Sequence, residues 1–163
     1  MSLDPAVQIA LGLLVASAMM ALLWLVQLRT RNAGIVDVGW AAGIGVLGIL
    51  FSATSDGDLA RRALAGVLIG AWSARLAVYI LANRVLGQPE EGRYVSLREK
   101  WGANADLRLL WFFQIQAMTV VLFALPVLVA AHTDRAGLDA WDWLGAAVWL
   151  AAGCFIMGFG LKA

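Results

Sequence analysis

Three polar side chains recur at four-residue intervals in the otherwise apolar stretch AWSARLAVYILANR: Arg75, Tyr79 and Asn83, with Arg84 next to the last. If the stretch is helical, the three drift by only about 80° around the axis and share one face. A guanidinium, a phenol and a carboxamide in a row can hold an anion such as a phosphate through hydrogen bonds. These four residues, called the polar stripe below, would line a pocket that opens at one membrane surface.

An arginine inside a membrane needs a partner, because an isolated charge there costs on the order of several kcal/mol. Asp37, in the apolar stretch NAGIVDVGWAAG, lies at a similar predicted depth and is the predicted partner of Arg75. Gln114 enters a later segment to a similar level, and we expect it to line a pocket with Trp40 and Trp72. The alternative is structural, in which the Asp37–Arg75 pair fixes helix packing and binds nothing.

The elements that position these residues are predicted to be transmembrane helices. Hydrophobic residues make up 62% of the 163 residues, and the mean hydropathy is +0.80. Both values exceed what a soluble domain of this length needs for its core. The sequence therefore predicts an all-α integral membrane protein, a single membrane domain with about five spans of roughly 20 residues each. The predicted spans are 6–28, 33–53, 63–82, 109–131 and 140–161.

Basic residues set the predicted orientation, since Lys and Arg in short loops stay on the cytoplasmic side. Eight of the 12 basic residues fall on one side and three on the other, with Arg75 inside the membrane. The N-terminus is thus predicted to be outside and the loop 83–108 cytoplasmic. Within that loop Tyr94, Leu97 and Trp101 recur at helical spacing, which predicts a short interfacial helix.

Charge, cysteine content and glycine spacing narrow the interpretation further. A net charge of +1 gives no field suited to nucleic acid, and a single His and a single Cys predict no metal-binding cluster. The stretch GWAAGIGVLG has glycines at a small-xxx-small spacing, which favours close helix contact over ligand binding. These glycines are Gly39, Gly43, Gly45 and Gly48.

The order of four motifs resembles a known family. The stretches IVDVGW, W..RL..Y...NR, GRY..LREKWG and WFFQIQ follow one another as in the bacterial membrane proteins called domain of unknown function 1295 (DUF1295), a branch of the steroid 5-alpha-reductase superfamily. The resemblance spans residues 31–131. It implies a seven-helix membrane enzyme with its N-terminus outside and an NADPH site that opens to the cytoplasm, in agreement with the predicted topology.

The resemblance also implies roles for individual residues. The polar stripe would hold NADPH, with Arg93 and Tyr94 completing the cofactor site at the cytoplasmic rim. Asp37 would be the acid near a substrate ketone, and Trp72 would stand where an aromatic donor is expected, so these two are the implied catalytic residues. An indole cannot transfer a proton as a phenol can, which leaves the substrate open.

One part of the family pattern is missing. Members continue into a cytoplasmic segment of the Arg-His-Pro-x-Tyr type and further helices around the nucleotide, whereas the one histidine here, His132, lies on the predicted outer loop. We therefore expect the sequence to be an incomplete portion of a seven-helix enzyme, or a short homologue.

Three functions remain open from the sequence. The first is an NADPH-dependent reductase of an enone lipid or steroid-like compound, a multi-pass protein of the bacterial inner membrane whose partners are membrane lipid and an apolar small molecule. The second is a membrane methyltransferase that uses S-adenosylmethionine and resembles the isoprenylcysteine carboxyl methyltransferases. The third is a non-catalytic membrane subunit.

Cysteine labelling tests the predicted orientation. In a Cys154→Ala background, Gln88→Cys should react with a membrane-impermeant maleimide only after the cells are opened, because the charge asymmetry places it in the cytoplasm. Asp134→Cys should react on intact cells. The reversed pattern would contradict the orientation.

Overall fold

The computed structural model describes residues 2–160, with side chains up to residue 151, and every regular element in this part is helical. The end of the last predicted span, Leu161, lies outside the described residues. A π-helical turn, Leu81–Val85, follows α3, and a 3₁₀ turn, Gly102–Asn104, follows α4. The helices are α1 (Pro5–Thr30), α2 (Ile35–Thr54), α3 (Leu59–Ile80), α4 (Gly92–Trp101), α5 (Ala105–Ala131) and α6 (Ala140–Gly160).

Length and hydropathy confirm the prediction of an all-α membrane protein. Within residues 2–160, four helical stretches are long and apolar enough to cross a bilayer: Pro5–Thr30, Ile35–Thr54, Leu59–Val85 and Gly92–Ala131. They correspond to the first four predicted spans. The fifth predicted span forms α6, which is not among the four, so its crossing of the membrane stays a prediction.

Local sequence signals explain where the helices begin and end. At the start of α1, Asp4 Oδ1 accepts the Ala6 N–H at 2.8 Å, and Pro5 occupies a first-turn position whose N–H has no helical partner in any case. Arg31 closes α1 in the left-handed conformation with φ 54°. Asp58 caps α3 in the same way as Asp4 caps α1, because its carboxylate accepts the Arg61 N–H at 3.1 Å.

Helix α2 is the centre of the bundle. It packs against α1, α3 and α5, and its buried residues recur along most of its length. The core that surrounds it consists of close-packed apolar side chains, which in a bilayer stabilise by shape and dispersion rather than by escape from water. Its largest fully buried members include Met20, Ile44, Leu47, Phe51 and Phe113.

Close approach of α2 and α3 depends on glycine, as the small-residue spacing predicts. A Cβ added to Gly45 would lie 2.5 Å from Ser73 Cβ, and one added to Gly48 would lie 2.5 Å from Ile69 Cγ2. Real Cβ atoms do not come this close, so a side chain at either position would push the helices apart. The predicted role of these glycines in helix contact is confirmed.

A buried ion pair joins α3 to the start of α6. Arg61 is 4% exposed, and its Nε and Nη2 donate to the two carboxylate oxygens of Asp142 at 2.9 and 2.8 Å. Its remaining N–H groups reach the carbonyls of Arg135 and Gly137 at 2.7 and 2.8 Å. The Gly137 N–H in turn donates to Asp58, and this bond, with that from the Arg61 backbone, holds the pKa of Asp58 below its usual range. The connection between α5 and α6 is therefore fastened to α3 at the predicted outer face.

Substitution of Gly45 tests the α2–α3 contact. Gly45→Val should destabilise the protein by about 1–3 kcal/mol, because the new side chain overlaps Ser73. Gly145→Val is the matched control, since a Cβ there meets nothing within 4 Å, and it should change stability by less than about 0.5 kcal/mol. Thermal unfolding in detergent measures both, and equal losses would contradict the close contact.

Candidate functional site

Three polar residues meet at the predicted cytoplasmic end of α2, and we call them the Asp37 cluster: Asp37, Arg93 and Tyr94. Asp37 lies in the first turn of α2, and the other two lie in the first turn of α4. The Tyr94 hydroxyl lies 3.2 Å from each carboxylate oxygen of Asp37, and the Arg93 guanidinium forms an ion pair with Oδ2. A phenol and a guanidinium are therefore both within hydrogen-bonding distance of one carboxylate.

Packing of α4 fixes the geometry of this cluster. Tyr94 is fully buried and makes an edge-to-face contact with Phe112 at 6.1 Å between ring centroids. Leu97 and Trp101 pack against the same core, so the predicted short helix at 83–108 and its apolar face are confirmed. Because Tyr94 is enclosed, a ligand would reach the cluster through Asp37 and Arg93, whose side chains are 20% and 51% exposed.

The predicted Asp37–Arg75 ion pair is wrong. Arg75 is exposed, and among the described side chains it makes no hydrogen bond or ion pair, whereas Asp37 pairs with Arg93. Helix α3 turns Ser73 and Ala77 towards the bundle, and a residue two positions from each points to the opposite side of a helix. The interfacial helix, in contrast, brings Arg93 directly over the start of α2.

The polar stripe itself lies on the outside of the described bundle. Arg75, Tyr79, Asn83 and Arg84 are all exposed, and the Asn83 side chain donates to the Tyr79 carbonyl at 2.8 Å. The last two residues sit in the π-helical turn that follows α3. Such turns occur frequently at functional sites. The stripe thus presents two guanidinium groups that no described residue pairs with.

An apolar cavity of about 670 Å³ lies between α2, α3, α5 and α6. Its size falls within the range of small-molecule pockets. Trp40 makes an edge-to-face contact with Phe123 at 5.3 Å, and Trp72 lies 6.3 Å from Trp149. Together with Trp141, these four aromatic residues line the cavity, which we call the tryptophan cavity.

Trp40 and Trp72, which were predicted to line a pocket with Gln114, both line this cavity, but Gln114 does not. The Trp40 indole N–H donates to Thr119 Oγ1 at 3.0 Å, which fixes its ring. Gln114 instead bonds to Ser17, accepting from its hydroxyl and donating to its carbonyl. Gln114 therefore joins α5 to α1, outside the cavity that Trp40 and Trp72 line, and its predicted place beside them is wrong.

A second group of charged residues at the predicted cytoplasmic end was not identified from the sequence. Arg98, 18% exposed, donates to Glu90 at 2.9 Å and pairs with Asp106 at 3.0 Å. It also donates to Gln27 Oε1 at 2.6 Å, while Glu90 accepts the Ala33 N–H at 2.7 Å. The network ties α4 to α1, to α5 and to the connection that precedes α2, and so positions the Asp37 cluster. The residues of this network have no regular spacing in the sequence, so a search for periodic patterns does not detect it.

A known protein family matches nearly all of the residues that form these sites. The family model described as "Protein of unknown function (DUF1295)" matches residues 23–158. No curated protein and no solved structure matches the chain. The matched region includes the Asp37 cluster, the polar stripe and the tryptophan cavity.

A double-mutant cycle tests which residue partners Asp37. Tyr94→Phe and Asp37→Ala should show a coupling of about 0.5–1.5 kcal/mol, the net value of the hydrogen bond they share. Arg75→Gln combined with Asp37→Ala should be additive to within about 0.5 kcal/mol. Unfolding in detergent measures both pairs, and a larger coupling with Arg75 than with Tyr94 would restore the rejected ion pair.

Proposed function

The chain belongs to the DUF1295 family, and we propose that it is a membrane-embedded, NADPH-dependent reductase of an enone lipid or steroid-like substrate, located in the bacterial inner membrane. The observation that carries this proposal is the position of the tryptophan cavity. Trp40 follows Asp37 by three residues on α2, and Trp72 precedes Arg75 by three residues on α3. Each separation is about 4.5 Å along the helix axis. An apolar molecule in the cavity would therefore approach polar groups that belong to the cytoplasmic side.

The character of the cavity supports an apolar, ring-containing substrate. Its walls are aromatic and aliphatic, and the polar residues in its lining are Arg61 and Asp142 at the far end. Those two are paired with each other and leave little hydrogen-bonding capacity for a ligand. Flat apolar rings stack well on tryptophan.

The donor set of the polar stripe fits a phosphate-bearing cofactor. Arg75 and Arg84 are exposed and engaged with no described residue, and arginine binds phosphate oxygens through two parallel charge-assisted hydrogen bonds. Arg93, half exposed at the rim, adds a third guanidinium. When bound, NADPH would supply the hydride for the reduction. The similarity of the motifs to the steroid 5-alpha-reductase superfamily supports the same assignment.

Reduction of an enone requires a hydrogen-bond donor and a proton donor among the protein's own residues. Negative charge builds up on the ketone oxygen and needs a hydrogen-bond donor placed beforehand, and the saturated product needs one proton. The indole N–H of Trp72 can donate the hydrogen bond. Asp37 can donate the proton only in its neutral form, which its ion pair with Arg93 opposes. A phosphate that binds Arg93 would compete for that guanidinium and free Asp37 to take up a proton, while Tyr94 keeps the carboxyl group in position.

Cofactor titration on the natural full-length protein in detergent tests the proposal. NADPH should bind, and Arg84→Ala should weaken binding by about 1.5–3 kcal/mol, the value of hydrogen bonds to a charged group. Arg29→Ala is the matched control, since Arg29 is an exposed arginine on the same predicted side but away from the stripe, and it should leave affinity unchanged.

Two other results would each overturn the reductase. Binding of S-adenosylmethionine without NADPH would favour the methyltransferase. Binding of neither would favour the structural subunit, in which the Asp37 cluster serves only to dock α4.

A further inference from the structure

A second cavity lies on the other side of α3 and shares no lining residue with the tryptophan cavity. It is an open groove of about 540 Å³ between α2 and α3, with a floor of small residues. Arg62 lines its end nearest the predicted outer face, and Ser52 lines its α2 side. The groove's small residues are Ala53, Ala63, Gly66, Gly70 and Ala71.

Two buried polar atoms in this groove have no partner among the described residues. Ser52 is 7% exposed, and both its hydroxyl oxygen and Arg62 Nε lack a hydrogen bond. A Cβ built on Gly66 would lie 3.1 Å from the Ser52 hydroxyl, so the hydroxyl faces the floor of the groove. Buried polar atoms are nearly always hydrogen-bonded. Four described side chains carry such an atom, and two of them, Ser52 and Arg62, line this groove. A ligand with polar atoms at this level would supply their missing partners.

The depth of these polar atoms identifies the kind of ligand. Arg62 donates to the Ser55 carbonyl just beyond the end of α2, and Ser52 is within one helical turn of that end. At the end of a membrane-spanning helix this level corresponds to the lipid headgroups and ester groups, whereas the rest of the groove, towards Gly70 and Ala71, is apolar. The lining of α3 runs from Leu59 to Ala71, roughly 18 Å. One leaflet's hydrocarbon is about 15 Å thick, so the groove matches a single acyl chain.

We propose that this groove binds an anionic phospholipid of the outer leaflet. Its phosphate would bind the Arg62 guanidinium, its ester oxygens would accept from Ser52, and one acyl chain would lie along Gly66 and Gly70. Charge complementarity selects this occupant over a helix of a second copy, because the charged side chain in the groove is a cation at headgroup depth.

Native mass spectrometry of the full-length, delipidated protein tests the site with two probes of identical chains, phosphatidylglycerol and phosphatidylcholine. One equivalent of phosphatidylglycerol should bind at least tenfold more tightly than phosphatidylcholine. Arg62→Gln should abolish most of that preference. Arg135→Gln, a change of an exposed arginine on the same predicted side, should preserve it. Inorganic phosphate in excess should not compete, since the acyl chain supplies part of the affinity.

Ser52→Ala separates a lipid contact from a structural role. It should leave the melting temperature of the lipid-free protein unchanged, because the hydroxyl has no partner among the described side chains. It should reduce the rise in melting temperature caused by phosphatidylglycerol. Full lipid response in both Ser52→Ala and Arg62→Gln would overturn the proposal. So would a dimer that Gly70→Leu dissociates and phosphatidylglycerol does not affect, which would assign the groove to a second copy.

Discussion

A polar side chain that is buried away from water must find a hydrogen-bonding partner, and several contacts between the helices of this bundle follow from that requirement. Arg61 is enclosed by a carboxylate and three backbone carbonyls, and these bonds fix where α6 begins relative to α3. Gln114 and Ser17 satisfy each other and join α5 to α1. Arg93 and Tyr94 of α4 bind the Asp37 carboxylate at the start of α2. Each polar contact therefore also specifies which helices are neighbours.

At the Asp37 cluster, the need for hydrogen-bonding partners conflicts with the proposed role of Asp37 as a proton donor. The contacts of Asp37 with Arg93 and Tyr94 at the start of α2 favour its carboxylate form, whereas donating a proton requires the neutral form. Arg93 can relieve this because half of its side chain is exposed and its guanidinium can exchange partners. Tyr94 cannot move away without losing its buried packing. Asp37 thus has one fixed partner, Tyr94, and one exchangeable partner, Arg93.

The sequence predicted the elements well because their signals are local. Apolar length located the helices, and the recurrence of Tyr94, Leu97 and Trp101 located α4. The partner of Asp37 was not predictable in the same way, because depth in the membrane says how far along a helix a residue lies and not which way the helix is rotated. The rotation of α3 is set by the fit of Gly45 and Gly48 against Ser73 and Ile69. This fit depends on the surfaces of both helices, so the spacing of residues within one segment does not predict it.

The π-helical turn after α3 has a geometric consequence for the polar stripe. The Leu86 N–H bonds to the Leu81 carbonyl at 2.8 Å, a ring one residue wider than that of an α-helix. Residues beyond this wider ring are offset in azimuth from the positions that an uninterrupted helix would give them. Arg75 and Arg84 are nine residues apart, which places their side chains about half a turn apart on an uninterrupted helix. Arg84 lies inside the π-helical turn, which alters that separation. A molecule that touches both has to wind part of the way around α3, which favours a jointed chain of linked groups over a stiff rod.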